Sequence, residues 1–113
     1  VEVALTAGAE QVVEAMDIAD LGTMAVINDV AGARVGIWQA NTFPGIPVRG
    51  EVGAQSWFEL HTLDYDANVT FYRDVFGWDA HTMSDTPEFR YTTLGEGEAA
   101  SAGCRIKLMG PNG

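Results

Sequence analysis

The sequence predicts an α+β fold built from paired βαβββ modules, the first of them truncated. Two observations carry this. A glycine ending an apolar helical stretch, followed by three extended runs, occurs once from Gly8 and again from Gly77, about seventy residues later. Ahead of the second copy stand a strand-like run and an amphipathic helix, which the first copy has only in its last turn. An offset of this length marks a supersecondary module, and paired modules commonly build one site between them.

The elements follow in order. Val1, Ala4 and Leu5 fall at helical spacing, and Gly8 is placed as a left-handed cap after that fragment. Gln11–Met16 reads as extended and is followed by an Asp-containing loop. Gly22–Asn28 is the next run: Met24-Ala25-Val26-Ile27 is apolar, and Asn28-Asp29 ends it. After the Ala31-Gly32 turn, Val35 and Ile37 alternate with Arg34, Gly36 and Trp38, the period of a two-faced strand. The first module is thus assigned to residues 1–39. Residues 40–54 hold two prolines and three glycines and read as a linker.

The second module, residues 55–113, starts with Ser56–Thr62, which sets Trp57, Glu59 and His61 on one face and Phe58 and Leu60 on the other. Asp64 is suited to cap the next helix, and Asp66 to complement its dipole. Val69, Tyr72, Val75 and Phe76 form the expected buried stripe, stopped by Gly77. Runs at Asp79–Met83, Phe89–Leu94 and Ala99–Lys107 complete the module, the last two joined by a turn at Gly95–Gly97. That turn has no Lys-Ser/Thr after it and is flanked by glutamates, so it reads as a hairpin and not as a phosphate loop.

Composition bounds the function classes. With 113 residues, 47% hydrophobic and 19% charged, the chain has the make-up of an ordinary globular domain. A net charge of −10 with only six Lys and Arg argues against nucleic acid as a partner. No apolar run has the length of a membrane span, and the start at Val1, inside a helix fragment, reads as an excerpt of a longer chain without a signal peptide. One cysteine, Cys104, allows no intrachain disulfide, which fits a reduced, cytoplasmic setting.

Phe71-Tyr72-Arg73-Asp74-Val75-Phe76-Gly77-Trp78 resembles the FY…vfGW signature of the vicinal oxygen chelate superfamily, the glyoxalase, bleomycin-resistance and dioxygenase fold. There it closes the helix after the first strand of a βαβββ module. Asn28–Gln39 is similar to the family's DPxGaxxxlwq close of a module. Together with Ala15–Ala25, these segments resemble the tandem glyoxalase-like proteins of actinomycetes. The resemblance implies two modules curving into a cup, with divalent-metal ligands on first and last strands. The first-strand ligand, usually His, falls fourteen residues before the Phe of the FY pair, at Trp57. The last-strand Glu falls four residues after the turn glycine, at Gly36. An indole nitrogen only donates and glycine has no side chain, so the usual metal site is expected to be absent.

Other residues have the chemistry of candidate sites. Glu59 and His61 are chemically able to share a divalent metal, although a cleft Glu bonded to a neighbour is the favoured reading. His81 is read as solvent-facing and Cys104 as a small core residue with no identifiable base. Asp17, Asp20 and Asp29 are placed in loops as turn formers, without the oxygen pattern of a calcium loop. Trp57 and Trp38 are the candidate aromatic walls of the cleft, with Met16 and Met24 beside them or filling core.

The expectation is therefore a glyoxalase/bleomycin-resistance-like protein binding a small organic molecule in an aromatic-walled cleft. Trp57, Trp38, Glu59 and His61 are its ligand-binding residues, and no cofactor is required. Two alternatives stay open: a metal-dependent lyase or dioxygenase, and a structural module that builds an oligomer. Exposed sheet edges favour a homodimer or pairing with further modules of a parent chain.

Overall fold

A computed structural model describes residues 1–45, 51–54, 58–94 and 104–108. The chain divides into two compact units, Val1–Gln55 and Ser56–Gly113.

The first unit has a short helix, α1 (Glu2–Thr6), and three strands, β1 (Glu10–Ile18), β2 (Gly22–Asn28) and β3 (Arg34–Ala40), in the antiparallel order β1-β2-β3. The glycine stop after α1 is present: Gly8 N–H donates to the Leu5 carbonyl and Ala9 N–H to that of Ala4, with Gly8 at φ 105°. These are the two bonds of a Schellman close. β1 is longer than the Gln11–Met16 run. Two register shifts against β2 let it extend across a stretch that does not alternate cleanly, and it takes in Asp17. Asp17 is therefore a strand residue paired with Thr23, not a loop residue.

Asp29 does form a turn, buried, with its Oδ1 accepting from the N–H groups of Ala31 and Ala33. Asp20 lies in the β1–β2 turn, and its carbonyl accepts from Thr42 N–H and Thr42 Oγ1. The start of the segment read as linker is thus tied back to that turn.

Register sorts the side chains of this sheet onto two faces. Ala25 pairs with Ile37 and Ile27 with Val35, and Ala25 and Ile27 are buried. On the opposite face Met16, Met24 and Trp38 form one row across all three strands.

The second unit contains β4 (Phe58–His61), α2 (Tyr65–Phe76), β5 (Ala80–Asp85), β6 (Arg90–Leu94) and β7 (Cys104–Leu108). Its sheet has the order β4-β7-β6-β5, with β4 parallel to β7 and the other pairs antiparallel. The module is thus a closed βαβββ unit whose first and last strands are neighbours. The fold is α+β.

α2 departs from expectation in its buried face. Tyr65, Asn68, Phe71 and Tyr72 are buried, whereas Val69, Val75 and Phe76 are only half-buried. The stripe is rotated because a polar residue holds its centre: Asn68 Oδ1 accepts from Thr62 Oγ1, which itself accepts from Asp64 N–H. Asp64 occupies the cap position but its side chain makes no capping bond, and its own N–H donates to Thr62 Oγ1.

Gly77 ends α2 at φ 68°, ψ 23°. This left-handed residue returns the chain so that Trp78 stacks on Phe76 (5.0 Å) and Tyr72 (6.2 Å), and Tyr72 also stacks on Phe76. The FY…FGW sequence is therefore an aromatic stack set by one glycine.

Tyr65 bonds Thr92 through their hydroxyls, and its ring lies 4.1 Å under the Arg90 guanidinium. That guanidinium grips both carboxylate oxygens of Asp66, at 2.8 and 3.3 Å, and Asp85 at 2.7 Å. The hydrogen bond to Arg90 lowers the Asp66 pKa, and the two carboxylates raise that of Arg90. α2 therefore lies on the Arg90–Thr92 face of the sheet. No helix among the described residues is long and apolar enough to cross a membrane.

Candidate functional site

The face of the second sheet opposite α2 carries the polar candidates. Glu59 and His61 alternate with Leu60 on β4, and their register partners on β7 are Arg105 and Lys107. β6 places Thr93 opposite Arg105 and Tyr91 opposite Lys107, and β5 places His81 opposite Thr93. The Tyr91 hydroxyl donates to Glu59 Oε1 at 3.3 Å, and His61 Nε2 lies 3.2 Å from Glu59 Oε2. The Glu59 carboxylate is thus oriented through both oxygens. Tyr91 and Thr93 are 8% and 7% exposed, so they form the floor, while Glu59 and His61 stand at the rim with side chains 32% and 46% exposed.

Glu59 and His61 are therefore brought together, as their alternation implies. Trp57, the third residue expected on this face, lies outside the described residues, as does the Gly95–Gly97 turn. Cys104 occupies the first position of β7. His81 is exposed, and three strand spacings, about 14 Å, separate it from Glu59.

Sequence reasoning missed Tyr91 and Thr93. Their alternation with Arg90 and Thr92 was legible. What set them beside Glu59 is the insertion of β7 between β4 and β6, a pairing between distant segments.

In the first unit, Trp38 ends the Met16–Met24–Trp38 row. Its indole N–H donates to the Phe43 carbonyl at 2.9 Å, and Phe43 meets the ring edge-on at 6.2 Å. The donor is thus spent on orienting the ring, which stays 38% exposed, with Met16 at the other end of the row 48% exposed. Gly36, two residues before Trp38 on the same strand, has no atom within 4 Å of where a Cβ would stand.

A divalent ion can be tested against these residues. Two tetrahedral donors on one ion, each at about 2.0–2.2 Å, stand about 3.3–3.6 Å apart, and His61 Nε2 and Glu59 Oε2 lie 3.2 Å apart as a hydrogen-bonded pair. A catalytic site nevertheless takes three protein ligands. Among the described residues no group of three or more His, Cys, Asp and Glu could hold a metal. The described donor set does not complete such a site.

Residues 56–95, from the strand carrying Glu59 through β6, match the family model of the bleomycin resistance protein-like N-terminal domain. The presumed glyoxylase CFP32 of Mycobacterium tuberculosis is 37% identical to this chain over 97 residues. The chain belongs to the glyoxalase and bleomycin-resistance-like family. The match with CFP32 takes in 86% of this chain and 37% of the relative, and the Mycobacterium bovis protein of the same name gives the same figures. The anthracycline biosynthesis protein DnrV of Streptomyces peucetius is 39% identical over 72 residues, 64% of this chain and 26% of that protein. The chain thus spans little more than a third of the length of its mycobacterial relatives. The matched residues take in both the FY…FGW stack and the Glu59–His61–Tyr91 cluster.

Proposed function

We propose that this family member binds a small, flat organic molecule in its second unit, between an aromatic wall and Glu59 as a polar anchor. The observation that carries the proposal is the Glu59 carboxylate, held by Tyr91 and His61 at the rim of a buried floor. A carboxylate fixed through both oxygens accepts from a ligand N–H or O–H without a large ordering cost. In the first unit, Trp38 is fixed by Phe43, so its exposed face is a stacking surface of that unit's own. Trp57 belongs to the proposed wall on sequence grounds alone.

A metal-dependent lyase is the second reading, favoured by the 3.2 Å Glu59–His61 pair and by the glyoxylase name of the mycobacterial relatives. An anthracycline is a suitable flat probe, prompted by the name of the Streptomyces relatives. Amide-detected NMR titration of the whole chain should show saturable binding, weakened about tenfold, or about 1.4 kcal/mol, by Glu59→Gln. Chelator treatment should leave it unchanged. Stoichiometric zinc, nickel, iron or manganese, lost in Glu59→Ala together with activity, would establish the second reading instead. Absence of any saturable binding would leave only a structural role.

A further inference from the structure

We infer that the first unit carries a separate binding site, a polar cavity that takes a small hydroxylated amine in its protonated form. The cavity measures about 320 Å³ and lies where β1, β2 and β3 end together. The polar residues Asp17, Thr23, Gln39 and Asn41 line it, and Ala19, Gly22 and Ala40 complete the wall. Three of these form one cross-strand row: Asp17 pairs with Thr23, and Thr23 with Gln39. The row stands on the face opposite Met16, Met24 and Trp38, so this cavity is distinct from the aromatic surface described above.

The chemistry of the lining selects the ligand. Thr23 Oγ1 donates to Asp17 Oδ1 at 2.7 Å, so the threonine hydrogen is already committed and its oxygen is left to accept. Asp17 only accepts, and the two carboxamides both accept and donate. Among the described residues no Lys, Arg or His lines the cavity. Acceptors therefore outnumber donors around a fixed negative charge, and a ligand must bring an excess of N–H and O–H donors with a positive charge. The net charge of −10 supplies a field of the same preference. A single carboxylate falls short of what a hard metal cation demands. The volume lies at the small end of ligand pockets, room for a molecule of monosaccharide size.

The cavity is also preformed. Ala19 sits at φ 47°, a left-handed conformation costly for a residue with a Cβ. It is held by bonds on either side: Leu21 N–H to the Ile18 carbonyl, Asn41 N–H to the Leu21 carbonyl, and Thr42 Oγ1 to the Asp20 carbonyl. The last two fasten the segment bearing Asn41 to the turn bearing Ala19, so the two edges of the cavity are fixed to one another before a ligand arrives.

Amide-detected NMR titration of the whole chain with glucosamine, glucose and glucuronate at neutral pH tests this. Glucosamine should shift amides of residues 17–23 and 39–41, binding about fivefold or more tightly than glucose, while glucuronate leaves them unmoved. Asp17→Asn keeps an oxygen to accept from Thr23 and should reduce glucosamine to the affinity of glucose. Gln39→Ala should weaken both sugars. Equal binding of glucosamine and glucose, a response that survives Asp17→Asn, or shifts confined to other segments would overturn the assignment.

Discussion

Gly22 stands where the first sheet is tightest, and replacing it with alanine puts that packing to a quantitative test. A Cβ at Gly22 would lie 2.5 Å from the Gln39 carbonyl oxygen and 2.5 Å from Trp38 Cζ2, with Cε2 at 2.9 Å. Both contacts fall about 1 Å short of ordinary van der Waals separation, and one of them is backbone, which no rotamer change can move. Opening the β2–β3 pairing to admit the methyl group costs about 1–3 kcal/mol as overpacking. Moving the indole also gives up its bond to the Phe43 carbonyl, about 1 kcal/mol. The expected loss is about 2–4 kcal/mol, a large share of the stability of a small domain.

Gly36 in the adjacent strand provides the control, since nothing lies within 4 Å of its Cβ position. Gly36→Ala should be neutral or stabilise by up to about 1 kcal/mol, because alanine narrows the unfolded ensemble. Urea unfolding followed by far-ultraviolet circular dichroism, with the Trp38 indole N–H signal reporting the first unit alone, measures both. A Gly22→Ala variant within about 0.5 kcal/mol of the parent, or a Gly36→Ala variant that loses as much, would refute the packing argument.

Two further outcomes follow from the second unit. Gly77→Ala should destabilise by about 1–2 kcal/mol through its left-handed backbone alone, since no atom lies within 4 Å of its Cβ position; Gly77→Asn should recover part of this, and both are read from urea midpoints. Asp66 has a lowered pKa, so its contribution is complete above the unfolded carboxylate value, about 3.9, and disappears as pH falls through the lower folded value. Arg90→Met should therefore cost stability at neutral pH, and the gap to the parent should narrow on acidification. A gap that is constant with pH would show that the Asp66–Arg90 contact contributes nothing.

Much of the candidate site was legible because alternation in a strand is local information. Glu59 and His61 were placed on one face by a spacing of two, and the structure sets them 3.2 Å apart. The stop at Gly77 and the turn at Asp29 were legible for the same reason, since each depends on a few neighbouring residues. The helix stripe was misread because hydrophobicity cannot reveal that Asn68 is buried through a bond to Thr62. Asp17 was misplaced because bulges let β1 continue past the point where its pattern fades.

By itself the sequence determined the repeated module, its family and the order of its elements, all of which depend on local periodicity and on glycine at the breaks. The tertiary structure alone decided what those elements place side by side. Parallel pairing of β4 with β7 carries Tyr91 to Glu59, the α2 contact joins Asp66 to Arg90, and the end of one sheet gathers Asp17, Thr23, Gln39 and Asn41 around a cavity. These contacts join residues that lie far apart along the chain. Their partners are chosen by register and burial, which exist only once the sheets have formed.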